Sequence, residues 1–221
     1  MRSAMPVITI SRQYGSGGDA IGKRVCEALG YSYFDKSLMA QVASEVGISE
    51  SDIVDFHEDT YKMRGFLDRL LGRNRSAADA WTNSATQSAL PVEALDEAHS
   101  VKLIKETIVG AHKHDNVVIV GRGGQAILRE QPGVLHVRII APLGARVLRV
   151  QTAENVNLDE ATTRVNHRDE AAAAYLERFY DIDWDNALLY HLIINTGKWE
   201  TEDAVQIILN ALAHLRMVPT L

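Results

Sequence analysis

A chain of 221 residues that is 46% hydrophobic and 24% charged is long enough to bury a sizeable core and reads as an ordinary globular protein. Its net charge of −6 argues against generic binding to nucleic acid or to an anionic membrane, since both need a basic surface, although a few converging arginines still make a local pocket for a small anion. The one cysteine, Cys26, excludes a disulfide framework and fits a reducing cytoplasm, and no segment approaches the roughly 20 apolar residues of a membrane span.

Along the chain, short apolar runs alternate with helical patterns. Val7–Ile10 is a compact β-branched run ended by a Gly-rich turn, which predicts a buried strand. Ile21, Val25, Cys26, Ala28 and Leu29 recur at helical spacing over about 18–29, with Gly30 as the stop and Cys26 a packing residue on the buried side. Tyr31–Phe34 is a second short strand closing on Asp35. Residues 36–114 carry mostly helical pattern with turn signals at Gly47, Gly72 and Pro91; within them Arg73–Ala89, rich in Ser, Ala and Asn, reads as a surface loop. "VVIV" (Val117–Val120) is the strongest strand signal and runs into Gly121-Arg122-Gly123-Gly124. Val134–Ile140 is a fourth strand, Pro142 marks the start of the next helix, "HLIIN" (191–195) is the last strand and Glu202–Leu215 the last helix. Strands alternating with helices predict a parallel α/β sheet covered on both faces.

Gly17-Gly18-Asp19-Ala20-Ile21-Gly22-Lys23 spells GxxxxGK, the opening of a Walker A loop, but Arg24 follows where that motif has Ser or Thr. Geometry decides the frame. A phosphate loop needs its glycines between strand end and helix start, where backbone amides and the helix dipole face the anion. Gly15, Gly17 and Gly18 stand at that junction, whereas Gly22 and Lys23 fall a full turn inside the helix. Anchored on "ITIS", the loop is Arg12-Gln13-Tyr14-Gly15-Ser16-Gly17-Gly18; Gly18 then takes the lysine position, and the hydroxyl position falls near Asp19 or Ala20.

With "ITISRQYGSGGDAIGKRVCEALGYSYFDKSLM", "VVIVGRGGQAIL" and "YHLIINT" in this order, the chain resembles the cytidylate kinase-like family, a divergent branch of the nucleoside monophosphate kinases, from about Val7 to Leu215. The resemblance implies a single P-loop kinase domain over 1–221: a three-layer α/β/α fold with a five-stranded parallel sheet. Its core would be 6–35, 116–156 and 188–215, with a helical substrate-side insert at 36–115 and a helical lid at 157–185. It implies ATP and Mg²⁺ as cofactors, a small-molecule nucleotide as partner with neither nucleic acid nor membrane, and a cytoplasmic enzyme whose self-association stays open. Two departures stand out. Gly18 occupies the place of the lysine, and Gly123 replaces the Asp of a "GRD" segment that the resemblance assigns to nucleoside contacts.

Phosphoryl transfer needs in-line positioning and charge neutralisation, and arginine supplies a planar fork that does not lose its charge. The candidates for catalysis are therefore Arg12 at the first strand end, Arg122 after the third, and Arg164 and Arg168 in the lid. Gly15, Ser16, Gly17, Gly18, Asp19 and Arg146 are expected around ATP. Asp35, Lys102 and Arg122 are expected around the acceptor, with Asp35 also the candidate metal ligand. Arg12, Asp35 and Arg122 all fall at carboxyl ends of strands, where open α/β sheets bind ligands. The competing readings are ion pairs of Arg164 or Arg168 with Glu160 or Asp169, solvation of Arg146 and Arg149 on a surface helix, and helix capping by Asp35. The eight histidines show no metal-ligand spacing, and Trp184 and Trp199 read as packing residues. The functional expectation is ATP-dependent phosphorylation of a CMP-like nucleoside monophosphate or a small phosphorylated metabolite. The alternatives are a nucleotide-binding regulatory or scaffold protein and, more remotely, a dinucleotide-binding oxidoreductase.

Overall fold

A computed structural model describes residues 6–34 and 92–215, with the backbone alone for 92–100. Five strands, β1 (Val7–Arg12), β2 (Ser32–Tyr33), β3 (Val117–Val120), β4 (Val134–Ile140) and β5 (Leu192–Asn195), form one sheet in the order β2-β3-β1-β4-β5. Every pairing is parallel, as the βα alternation predicts. The helices are α1 (Gly18–Leu29), α2 (Val92–Lys113), a single turn α3 (Gly124–Ile127), α4 (Leu143–Glu154), α5 (Leu158–Tyr180) and α6 (Thr201–Ala213).

Two apolar layers sandwich the sheet. Ile8 and Ile10 of β1 face α1 and α6 together with Ile21, Val25, Val137, Ile139, Val205 and Ile208. Val7, Val117, Ile119 and Val134 face the other way, onto Ile104 and Ile108 of α2 and Leu128 after α3. A period of two on strands buried on both faces is what a parallel sheet requires. The connections leaving β1 and β3 thus part to opposite faces, and the crevice beyond their carboxyl ends is where such sheets take ligands.

The packing corrects several sequence expectations in detail. β1 runs on to Arg12, because Ser11 and Arg12 keep register with Arg138 and Ile139 of β4. Pro142 is the N-cap of α4 rather than its first residue. Trp184 packs, 6% exposed, with its indole N–H donating to Ser11 Oγ at 2.8 Å, but Trp199 is half exposed and joins no core cluster among the described residues. Cys26 is buried against the sheet, and burial pushes its thiol up to about 12, so it is an inert packing group. Asp35 and the loop 73–89 lie outside the described residues, as does most of the 36–115 insert.

One buried polar pair carries a pH signature. His136 of β4, 3% exposed, sits 2.7 Å by Nδ1 from Thr9 Oγ1 of β1 and stacks on His191 at 5.1 Å. Burial, and then the neighbouring His191, lower its pKa from 6.5 to about 4. A histidine whose folded pKa lies below its unfolded value keeps its stabilising effect above the unfolded pKa and loses it as pH falls toward 4. Between pH 7 and pH 5 this group alone should cost about 2 kcal/mol of folding stability. Urea unfolding of wild type and His136→Gln at both pH values checks it: the variant should lose less stability on acidification, and equal losses would exclude His136 as the source.

Candidate functional site

The β1–α1 loop is fixed from several sides through its carbonyls. Gln13 joins the end of β4, its N–H donating to Ile139 O at 3.0 Å and its Oε1 accepting from Ala141 N at 3.1 Å. The Gln13 carbonyl accepts from Ser16 N, and the Tyr14 carbonyl accepts from Arg146 Nη1 at 3.2 Å. The Ser16 carbonyl accepts from Thr196 Oγ1 at 2.7 Å and from Arg149 Nη1 at 3.2 Å, and the Gly17 carbonyl accepts the first intrahelical bond of α1, from Ile21 N.

With its carbonyls turned inward, the loop presents amides. α1 is capped by Gly17, left-handed at φ 87°, which has no side chain to satisfy the helix end. Gly18, Asp19 and Ala20 N–H groups therefore leave the helix without an intrahelical acceptor, at the positive end of its dipole. Gly15, at φ 75°, also needs to be glycine for space: a Cβ there would lie 2.8 Å from the Arg146 carbonyl oxygen. Ser16 Oγ is buried with no hydrogen-bond partner among the described residues, an orphan beside an open helix end. Lys23 is exposed one turn on, and Gly22 is where α1 meets β3, with Val120 Cγ2 2.7 Å from the Cβ it lacks. The literal GxxxxGK thus reflects helix–sheet packing and a solvated lysine.

Arg146 is buried. Its Nε donates to Ala141 O at 3.0 Å and its Nη1 pairs with Asp169 of α5, whose other oxygen accepts from Tyr14 N at 2.8 Å. The Arg146–Asp169 pair thus grips Tyr14 by both backbone groups. Arg149, expected to be solvated, instead ties the loop to Thr196 after β5, its Nη2 donating to Thr196 O at 2.7 Å. Thr196 is not singled out by the sequence, and Asp169 enters there only as an ion-pair partner for Arg164 or Arg168, not for Arg146. Their signals, the Thr that follows the last strand and an Asp beside Arg168, become legible only once α4, α5 and β5 are known to converge on the loop.

Tyr14 is where the loop meets α5. Its ring packs with Val147, Val150, Ala161 and Val165, and Arg168 stands over it at 5.0 Å. Its hydroxyl bonds Glu154, which also pairs with Arg164, while Arg164 Nη2 reaches Glu160 at 2.6 Å. Burial first, then Glu154, raises the Tyr14 phenol above its ordinary range; the Tyr14 bond holds Glu154 below the usual carboxylate range despite partial desolvation. Arg164 and Arg168 therefore both flank Tyr14.

Across the crevice, Arg122 is 8% exposed and has φ 57°, left-handed for a non-glycine and costing about 1 kcal/mol or more. Its Nη1 donates to Phe34 O at 2.9 Å, with its guanidinium 5.3 Å from the Phe34 ring, so it sits at the adjacent ends of β3 and β2. Gly123, also left-handed, faces Tyr180 at the end of α5; a Cβ on it would lie 2.8 Å from Tyr180 Cε2. Arg12 leans on Asp19 at 3.3 Å. Lys102 is exposed on α2 and pairs with Glu106 at 3.8 Å. Among the described residues no group of three or more His, Cys, Asp or Glu gathers to hold a metal. The carboxylate nearest to hand is that of Asp19, on the first turn of α1 beside the uncapped amides. One such ligand fits a Mg²⁺ held mostly by phosphates and water.

Residues 7–198 match the model of a family described as the cytidylate kinase-like family. Cytidylate kinases from Pyrococcus horikoshii and Archaeoglobus fulgidus are 26% and 27% identical, covering 95% and 92% of this chain and 89% and 93% of theirs. Among solved structures, an uncharacterized protein from Eubacterium ventriosum aligns with TM-score 0.64 at 18% identity over 95% of this chain and 99% of that one. A gluconokinase from Sinorhizobium meliloti aligns with TM-score 0.51 at 12% identity over 97% and 95%. These last two likenesses speak to the fold alone.

A buried basic residue beneath the loop and an exposed one on α1 should separate cleanly. Arg146→Ala leaves Asp169 largely buried without its partner and should cost about 3 kcal/mol, read as a lowered melting temperature. Lys23→Ala, on the exposed side of α1, should stay within about 0.5 kcal/mol of wild type. A comparable loss from Lys23→Ala would show that Lys23 is not a solvated residue.

Proposed function

The chain belongs to the cytidylate kinase-like family, and from that premise we propose that it transfers a phosphoryl group from ATP to a CMP-like nucleoside monophosphate or a small phosphorylated metabolite. One observation carries the reading most directly: the helix end capped by Gly17, with its free-standing amides beside the orphaned Ser16 hydroxyl, suits a polyphosphate. Gly15, Ser16, Gly17 and Gly18 hold the β- and γ-phosphates, and Asp19 is the carboxylate at hand for Mg²⁺. That ion, when bound with ATP, adds charge neutralisation at the phosphates.

The chain's own part is positioning. Arg146 and Arg149 hold the loop by its carbonyls and keep its amides aimed outward. Arg122 grips the acceptor phosphate from the β3 end, and Arg164 and Arg168 approach the transferring group from α5. The acceptor phosphate is anionic near neutral pH, so no strong general base is required. Gly123 and Tyr180 place a phenol where the resemblance puts an aspartate, which argues for an acceptor base or ring differing from cytosine in its polar edge.

ATP with Mg²⁺ should raise the melting temperature more than NAD does, because a ligand selective for the folded state stabilises it. ADP release with CMP, dCMP, UMP, AMP and GMP should reveal an acceptor. With it, Arg122→Ala should cut turnover by about 10²-fold, while ATP affinity changes less. Arg122→Lys, which keeps the charge and loses the fork, should fall between the two. ATP binding without transfer to any of the five would favour a non-nucleotide acceptor or the regulatory reading. Stabilisation by NAD and not by ATP would overturn the kinase reading.

A further inference from the structure

Gly18 is a glycine without a conformational reason to be one. It opens α1 in ordinary helical geometry, absent from the left-handed glycines, and any residue adopts that backbone. Space is the constraint. A Cβ at position 18 would lie 2.5 Å from Arg12 Cβ and 2.8 Å from Arg12 Cγ, with Ile139 Cβ at 3.5 Å. These are the rigid base of a side chain rooted in the central strand, not a flexible tip that swings aside. Arg12 then passes over Gly18 and reaches the first turn of α1. There its Nε donates to Asp19 Oδ1 at 3.3 Å and Oδ2 at 3.4 Å, and only 14% of the Arg12 side chain is exposed.

The standard phosphate loop places a lysine on the residue that here is Gly18, and that lysine reaches the β- and γ-phosphates. We infer that Arg12 and Gly18 are one exchanged unit. The cation for the phosphates comes from the last residue of β1, over a glycine, in place of a lysine on the first turn of α1. This rests on the phosphate-loop reading above and deepens it. The Asp19 contact puts the guanidinium beside the uncapped amides of α1, where an anion would meet both. Asp19 is a counter-charge that a phosphate would compete with for this guanidinium. An arginine in this place also binds differently from a lysine: its fork can take two oxygens of one phosphate or bridge two phosphates.

The exchange makes two independent predictions, one with ligand and one without. Inorganic tripolyphosphate and ATP, titrated calorimetrically without metal, should bind wild type. Arg12→Gln should bind both at least about 10-fold more weakly, in line with the loss of one charged phosphate contact, and Arg12→Lys should recover most of that loss. Without ligand, Gly18→Ala should lower the melting temperature in the wild-type background and leave it nearly unchanged in Arg12→Gly, a coupling expected only if the two sites share one space. Gly18→Lys alone should destabilise and fail to bind tripolyphosphate. Arg12→Gly combined with Gly18→Lys should restore both stability and binding. Wild-type affinity in a folded Arg12→Gln, or equal cost of Gly18→Ala in both backgrounds, would overturn the exchange. Failure of wild type to bind either polyphosphate, with the stability coupling intact, would overturn the phosphate-loop reading instead and keep Arg12–Gly18 as a packing pair.

Discussion

The site depends on where one short loop keeps its carbonyls. A turn between strand and helix binds an anion only if its N–H groups converge outward, and a peptide that aims its N–H outward sends its oxygen inward, where an unmet oxygen is costly. Here the inward oxygens of Tyr14 and Ser16 each meet a donor from another element: Arg146 for the first, Thr196 and Arg149 for the second. α4 supplies both arginines, the end of β5 supplies the threonine, and α5 supplies Asp169 to hold Arg146 in place. The right-hand half of the sheet, β4 and β5 with their helices, can thus be regarded as the support that keeps the loop facing outward.

The two departures from the family pattern become intelligible as exchanges of space. At position 18 an arginine stem stands where a side chain would begin; at position 123 the Tyr180 ring does. In neither place is the volume empty. Both replacements come from an element facing the loop: β1 in the first case, the end of α5 in the second. A glycine read alone suggests loss of function. A glycine whose absent Cβ meets another side chain at under 3 Å marks a place where a neighbour already fills the space.

How much of this was readable from the sequence follows from which interactions are local. β3 and β4 were legible to the residue, because "VVIV" and 134–140 are buried on both faces and owe their pattern to that burial. α1 was legible from its spacing and from Gly30, left-handed at its C-cap. The loop frame was legible too, since strand–glycine–helix is a contiguous signal. The arginines were not. Arg146 and Arg149 sit on a helix whose outer face is polar, and nothing in that pattern distinguishes a solvated guanidinium from one turned in under a loop about 130 residues earlier. Trp199 failed the same way in reverse: hydrophobic size suggested burial, but among the described residues it stays half exposed. Side chains that act across the chain are invisible to periodicity, which reports only the face a residue occupies.

The same geometry constrains how the α5 arginines can reach a phosphate. The N-terminal half of α5 is docked: Ala161 and Val165 pack on Val147 and Val150, and Asp169 bonds both Arg146 and the Tyr14 N–H. Swinging this segment as a rigid flap would strip two donors from Asp169 and unseat the loop itself. Arg164, by contrast, is held by two carboxylates that a phosphate can replace. Arg164 is paired with Glu154 and Glu160 while still 42% exposed, and Arg168 lies over the Tyr14 ring. A pair that solvent reaches is screened, so a phosphate can compete with the carboxylates for the Arg164 guanidinium. On the proposed reading, the economical motion is therefore rotation of the Arg164 side chain about a helix that stays put, because Asp169 anchors that helix to the loop through both Arg146 and Tyr14.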